Sequence, residues 1–464
     1  MSTPQLRRAL NLRDVALFTI VVVFSVRGLA TAAKMGPASL LLWVVAVVAF
    51  FVPLGLAVSE LGTRDPGEGG FYRWTRSAFG SAHGFLAGWF YWVSNLTYLP
   101  TLLIFIAANS VYVIGRPALG EDPWFITSCA LALLWLATWL NIRGLELGRW
   151  VTNAGGVAGW LSAALVIAAG IAAFARYGSA TELSIRSAAA ELADFRTFGY
   201  FGTLSFALVG LELVALMAGE IKDPRRTLPR AIVISGTVIA LTYAIGTLAM
   251  LVAVPPSGVS PISGAMDALQ AVADRAGWPF LPVTGAVLVS LAAVAGMSGW
   301  LGGMARLPFA AGLDRFLPPA MARLHERHHT PHVAILVQSA LTTVFIVASQ
   351  TGSSVHEAYL VLLDMTIILN FVPFLYLFLS LPRLRRDSDE EGVVRIPGGK
   401  PGVWLVALLG LATTLATLLT ASIPAPDAGK PWLFELKLWG GLGLFGLAGY
   451  LLYRRYAAHA EASP

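Results

Sequence analysis

Charge is what this sequence has least of. Only 12% of its 464 residues are Asp, Glu, Lys or Arg, while 56% are hydrophobic; an ordinary soluble domain carries about 25% charged residues. That balance excludes a soluble surface of normal composition. Cysteine is almost missing as well. Cys129 stands alone in an apolar run, which rules out an internal disulfide and argues against a metal cluster. All seven histidines, at 83, 325, 328, 329, 332, 356 and 459, fall in loops, helix ends or the tail, and no HExxH or paired-aspartate motif occurs. A membrane enzyme would need such groups at membrane depth, so no catalytic residue, metal or cofactor is expected. Nothing marks a selectivity filter, which disfavours a channel.

What the chain has instead is long uncharged stretches: 25 residues from Met35 to Ser59, 32 from Gly84 to Gly115, 26 from Trp150 to Ala175, 36 from Ala231 to Met266 and 30 from Ala276 to Ala305. A helix crosses the hydrocarbon core with about 20 apolar residues, so each run is long enough to span. The pattern predicts an all-α polytopic membrane protein with twelve spans, near 14–33, 38–61, 84–114, 123–142, 150–175, 197–219, 231–254, 279–305, 333–349, 358–380, 402–421 and 434–453. The first span lacks a small-residue cleavage site and is followed at once by an equally apolar run, so it is not expected to be a signal peptide.

Placing the N-terminus inside puts 23 of the 32 Lys and Arg on the cytoplasmic side, as the positive-inside rule requires. Both termini are therefore expected in the cytoplasm and the protein in the cell membrane. The net charge of +6 fits attraction to anionic lipid headgroups and calls for no nucleic-acid partner. The expected organisation is a cytoplasmic segment (1–13), a ten-helix core (14–380), a charged turn-rich linker (381–401), two further helices (402–453) and a cytoplasmic tail (454–464). The stretch from Ser260 to Gly277 predicts a short external helix opened by Ser260.

Two of the apolar runs carry residues that hydrocarbon does not welcome. "VVFSVRGLATAA" places Arg27 and Gly28 inside the first run, and "FALVGLELV" places Gly210 and Glu212 inside the sixth. Both segments are expected to be broken, the first at Arg27-Gly28 and the second at Gly210 within Phe206 to Val214. Glycine-interrupted segments in corresponding halves point to an inverted-repeat secondary transporter with its site between the breaks. Broken helices expose N–H groups that attract a carboxylate and carbonyls that attract a cation, which suits the zwitterion of an amino acid. The expected substrate contacts are Ser25, Val26, Arg27, Gly28 and Leu29 on the first break and Phe206, Ala207, Val209 and Gly210 on the second, with Asn95 and Ser298 as further lining.

A charge at membrane depth is costly and usually functional. Arg27 is read either as receiving an acidic substrate group or as pairing with Glu212 in a gate; a structural pair is the bland alternative. Glu212 is a candidate for carrying a coupling proton, with helix capping as its bland alternative. Asp364, nearer the end of its run, is a weaker coupling candidate. Glu60 is expected to pair with arginines at the membrane surface, and Thr97 and Tyr98 are candidate linings beside Asn95.

Three longer motifs carry a family resemblance: "ELGTRDPGEGGFYRWTRSAFG", "FALVGLELVALMAGEIKDPRRTLPRAI" and "ARLPFAAGLDRFLP" followed by "TPHVAILVQ". In that order and spacing the chain resembles amino acid-polyamine-organocation transporters, most nearly the glutamate/GABA antiporter branch. The resemblance implies the leucine-transporter fold, with helices 1–5 and 6–10 as inverted repeats and helices 11 and 12 outside them, and alternating-access transport of amino acids or related amines. Ser-Val-Arg-Gly-Leu stands where many members have a Gly-Ser-Gly type sequence. Gly159 stands where some proton-coupled members place a lysine, so exchange and proton coupling both stay open. A polyamine carrier and a transporter-like amino acid sensor remain the alternatives, and a monomer and a homodimer are equally compatible with the sequence.

Overall fold

The computed structural model describes residues 8–67, 69–192, 195–260, 263–349, 355–385, 392–423 and 431–461. The expected linker is thus described outside 386–391, the N-terminal segment from residue 8 onward, and the tail up to 461. Among the described residues the regular structure is helical, apart from one isolated parallel bridge between Leu10 and Ile221. In chain order the helices are α1 (Leu12–Val23), α2 (Val26–Lys34), α3 (Ala38–Ala46), α4 (Val52–Arg64), α5 (Phe71–Phe79), α6 (Ser81–Ile114), α7 (Pro123–Arg143), α8 (Leu145–Tyr177), α9 (Ile185–Leu192) and α10 (Phe195–Ala207). They continue with α11 (Leu213–Leu216), α12 (Pro224–Ala253), α13 (Gly264–Ala276), α14 (Phe280–Met304), α15 (Arg306–Leu313), α16 (His332–Ser349), α17 (Val355–Leu384), α18 (Gly399–Ala421) and α19 (Pro431–Glu461).

Ten helical stretches are long and apolar enough to cross a membrane. Two of the twelve expected spans fall short for different reasons. The one near 333–349 is the shorter apolar helix α16, and the one near 197–219 is divided into α10 and α11 by a non-helical turn. The expected short helix is present as α13, but it begins at Gly264, and Ser260 acts one turn earlier by accepting the Ser263 N–H at its hydroxyl (3.3 Å).

Local chemistry explains the interruptions. Asn11 and Asp14 form a reciprocal capping box that starts α1. Phe24 then turns extended, and Ser25 opens α2 by accepting the Arg27 N–H (3.3 Å). Between α3 and α4, residues Val47–Phe51 form a π turn just before Pro53. Proline offers no N–H to the carbonyl four residues back. The freed Ala49 carbonyl lies 3.1 Å from the Thr413 hydroxyl of α18, whose single proton it shares with the Leu409 (2.8 Å) and Gly410 (3.1 Å) carbonyls of that helix.

Packing relies on close approach as much as on apolar bulk. α8 lies against α14, where a side chain at Gly155 would meet the Ala295 methyl at 1.9 Å. Small residues at helix contacts replace the hydrophobic drive that lipid removes. Elsewhere aromatic rings fill the space: Phe50 of the π turn sits 5.3 Å from Phe371 and 5.5 Å from Phe374. The segment after α17 is anchored, with Ile396 buried, its N–H on Glu60 (2.8 Å), and the Val394 N–H on Thr63 (3.0 Å).

Candidate substrate site

The two interruptions face one another. The first lies at Phe24–Ser25, two residues before the expected Arg27-Gly28, which sit in the first turn of α2. Ser25, whose hydroxyl can serve an orphan N–H, outcompetes Gly28 as the breaking point because a helix start needs a cap and tolerates glycine inside its first turn. The second lies where expected. α10 ends at Ala207, and Gly210 adopts φ 127° before α11 begins. That region is nearly closed to residues with a Cβ, and a side chain there would also press on the Val23 side chain at 2.9 Å.

Tyr243 of α12 ties the breaks together. Its hydroxyl accepts the Ser25 N–H (3.1 Å) and lies 3.0 Å from both the Val23 and Ala207 carbonyls, which share its single proton. Trp300 of α14 donates its indole N–H to the Val22 carbonyl (2.8 Å). Chain ends that hydrocarbon leaves unsatisfied thus find partners within the protein. Local bonds take more of them. Ser25 receives the Arg27 and Gly28 N–H groups, and Phe206 receives that of Val209. The Arg27 and Gly28 N–H groups and the Phe206 and Ala207 carbonyls, all expected to hold a zwitterion, are therefore already occupied.

Between the breaks lies a narrow cavity with about 30 Å³ open to the centres of water molecules, room for roughly two waters. Of the expected residues it brings together Ser25, Arg27, Gly28, Phe206, Ala207 and Val209. Arg27 is buried. It donates to the Thr101 hydroxyl (3.4 Å) and lies 5.5 Å from the Tyr98 ring centre and 6.0 Å from that of Tyr359. Among the described residues no carboxylate lies within 4.0 Å of it. Tyr98 packs edge-on against Phe206 (5.4 Å) and Trp300 (5.2 Å), completing an aromatic wall.

Several expected contacts lie elsewhere. Val26 lines a neighbouring cavity beside Gly159 and Ser162. Leu29 is fully buried and packs on α12 at Gly246. Gly210 shapes the turn from behind the cavity wall. Asn95 is buried in α6 with neither amide atom bonded, and it does not reach the cavity. Ser298 lines a second cavity, nearer the end of the bundle where the chain begins. Asp364 is half-buried on α17 outside the cavity lining. The expected Arg27–Glu212 pair is not formed, because Glu212 accepts the Tyr91 hydroxyl and the Gly210 N–H (3.0 Å). The turn folds the carboxylate back onto its own backbone before Arg27 can compete.

Tyr91, Tyr243, Tyr359 and Trp300 were not among the expected residues, because they carry no charge and act through a hydroxyl, an indole N–H or a ring face on helices that otherwise look like core. A usable signal existed at one place: Tyr91 and Tyr98 stand seven residues apart on α6, which puts both on one helix face.

Comparisons with known proteins bear on the family and the fold. An amino acid permease family model matches residues 10–442. An uncharacterized transporter of Legionella pneumophila is 30% identical over 456 residues, covering 97% of both chains. A probable agmatine/putrescine antiporter of Lactococcus lactis is 24% identical, over 96% of this chain and 94% of its own. A glutamate/gamma-aminobutyrate antiporter of the same species is 23% identical, over 82% and 77%. The crystal structure of MhsT in complex with L-phenylalanine, a transporter of the leucine-transporter fold, superposes with a TM-score of 0.68 at 15% identity, covering 90% of this chain and all of the other. A multi-pass helical membrane protein of this fold, with a match along most of its length, transports amino acids or related amines and is no enzyme: the chain belongs to the amino acid permease family.

Proposed function

We propose that the protein exchanges amino acids across the cell membrane by alternating access, and that a substrate carboxylate is the partner Arg27 lacks. The observation that carries this reading is the guanidinium itself, buried between the two breaks beside the Thr101 hydroxyl and the phenol side chains of Tyr98 and Tyr359, with no carboxylate within 4.0 Å among the described residues. Breaking up a buried ion pair by removing one partner costs about 3–5 kcal/mol, so a buried cation of this kind favours a state in which an anion arrives. The substrate amine then faces the α10 end, where the Leu208 and Val209 carbonyls follow those already bonded. A polyamine, as in the name of the agmatine/putrescine relative, would bring cations beside a fixed cation. An acidic amino acid, as in the name of the glutamate relative, supplies a second carboxylate and suits the site better.

In this reading α1 to α19 build twelve spans. The first ten form two inverted repeats of five, α18 and α19 stand outside them, and both termini face the cytoplasm. Glu212, held by Tyr91, couples the turn after α10 to α6. It is placed to pass a proton if transport is proton-driven.

Labelled glutamate, neutral amino acids and arginine, offered to proteoliposomes with and without internal substrate and with and without a pH gradient, test the proposal. Glutamate uptake that requires internal substrate is the expected result, and Arg27→Ala should abolish the preference for glutamate. A transport-competent protein whose selectivity and rate ignore Arg27→Ala would overturn the assignment. Binding without flux for any substrate would leave a sensor.

A further inference from the structure

A second cavity lies toward the end of the bundle that carries the N-terminus, and it is the roomier of the two. About 70 Å³ is open to the centres of water molecules, room for roughly five waters. Its polar walls come from Asp14 on α1, Asn141 on α7, Asn153 on α8, Ser298 on α14, Arg306 on α15 and Thr330.

The charges do not cancel. Arg306 is bound to Glu220 Oε1 through Nε (2.8 Å) and Nη2 (2.7 Å) and also to the Gly302 carbonyl, so that pair is neutral, although Glu220 Oε2 stays without a hydrogen-bond partner. Asp14 is buried, and only its Oδ2 is engaged, by the Asn11 N–H (3.1 Å). No cation among the described residues lies within 4.0 Å of it. Asn153 contributes a buried Oδ1 with no hydrogen-bond partner. Asn141 has its amide N–H groups spent on Ala137 (2.9 Å) and Ser298 (2.8 Å), so its remaining offer is an acceptor. The cavity therefore presents oxygen acceptors and one negative charge, the inverse of the central site with its lone guanidinium. A buried acceptor without a donor costs about 1–3 kcal/mol, and the group that would satisfy several at once is a protonated amine.

We propose that this cavity is a second binding site, for an organic primary ammonium held by Asp14 and the carbonyl oxygens of Asn153 and Asn141. It would receive the amine end of a substrate between the central site and the nearer membrane face. Binding there does not depend on which amino acid the central site prefers.

The test is thermal unfolding of the purified protein in detergent with n-butylammonium chloride as probe, against sodium chloride at equal ionic strength. Butylammonium should raise Tm in a saturable way. Asp14→Asn and Asn153→Leu, the latter filling the cavity, should each weaken the apparent affinity by about tenfold or more, the scale of one charge-assisted hydrogen bond. Arg27→Gln should leave it unchanged. Asn153→Asp adds a carboxylate and should tighten binding, which keeps the test decisive if Asp14→Asn fails to fold. A Tm indifferent to butylammonium, or a shift that both cavity variants retain, would overturn the site and leave a cavity that holds water only. Because this readout needs no transport, it fails independently of the exchange experiment.

Discussion

Tyr243 accepts the backbone N–H of Ser25 across 218 residues of sequence. One phenol thereby holds the start of α2, while the same oxygen reaches the ends of α1 and α10. The relative position of the two breaks, and with it the shape of the central cavity, depends on this single atom.

Tyr243→Phe keeps the ring and its stacking on Trp43 (4.6 Å) but strips the hydroxyl. The Ser25 N–H and two carbonyls then lose a partner, at about 1–3 kcal/mol. Transport in proteoliposomes should fall by about tenfold or more, with a lower Tm in detergent. Unchanged flux would show that water replaces the hydroxyl.

The Ala49 carbonyl is available to Thr413 because Pro53 cannot bond it. Thr413→Val should cost about 0.6–1 kcal/mol, the usual worth of such a contact between membrane helices. In a Pro53→Ala background the restored N–H competes for the carbonyl, so the same substitution should cost less. A double-mutant cycle on unfolding measures the difference; equal costs would contradict the account of the π turn.

Glu60 is buried and serves Arg385 (2.7 Å), Arg64 (3.4 Å) and the Ile396 N–H (2.8 Å) together. Glu60→Ala takes this anion away from Arg385 and should destabilise by about 3–5 kcal/mol. Arg385→Ala should cost less, because Arg64 remains beside the carboxylate. Proteolysis near residues 392–398 should become faster in Glu60→Ala, since this glutamate anchors that segment.

On α13, which lies outside the spans, burial pushes the Asp267 carboxyl above the usual aspartate range, although Ser260, Ser263 and Tyr112 donate to it and oppose the shift. The folded state therefore holds this proton more tightly than the unfolded state. Its contribution is largest below the unfolded value of about 3.9 and declines as pH rises through the folded value. Asp267→Asn should remove that decline in a plot of Tm against pH. A wild-type curve with the opposite slope that the substitution abolishes would contradict the sign.

How much of this was legible differs from place to place. The uncharged runs and the clustering of Lys and Arg established a multi-pass helical membrane protein, because hydrocarbon allows little else. Gly210 and Glu212 disclosed the second break, since a positive φ and a carboxylate at membrane depth both leave marks in composition. The first break was legible only to within two residues, because Arg27 and Gly28 draw the eye while Ser25 does the capping. The sequence by itself thus determined the class of fold, the existence of both interruptions and the cost of Arg27. Tertiary structure alone decided that Arg27 meets rings rather than Glu212, that Tyr91 claims that carboxylate, and that Tyr243 joins the breaks. Those outcomes are competitions among donors and acceptors brought together from distant helices, and no local pattern records which partner arrives first at hydrogen-bond distance.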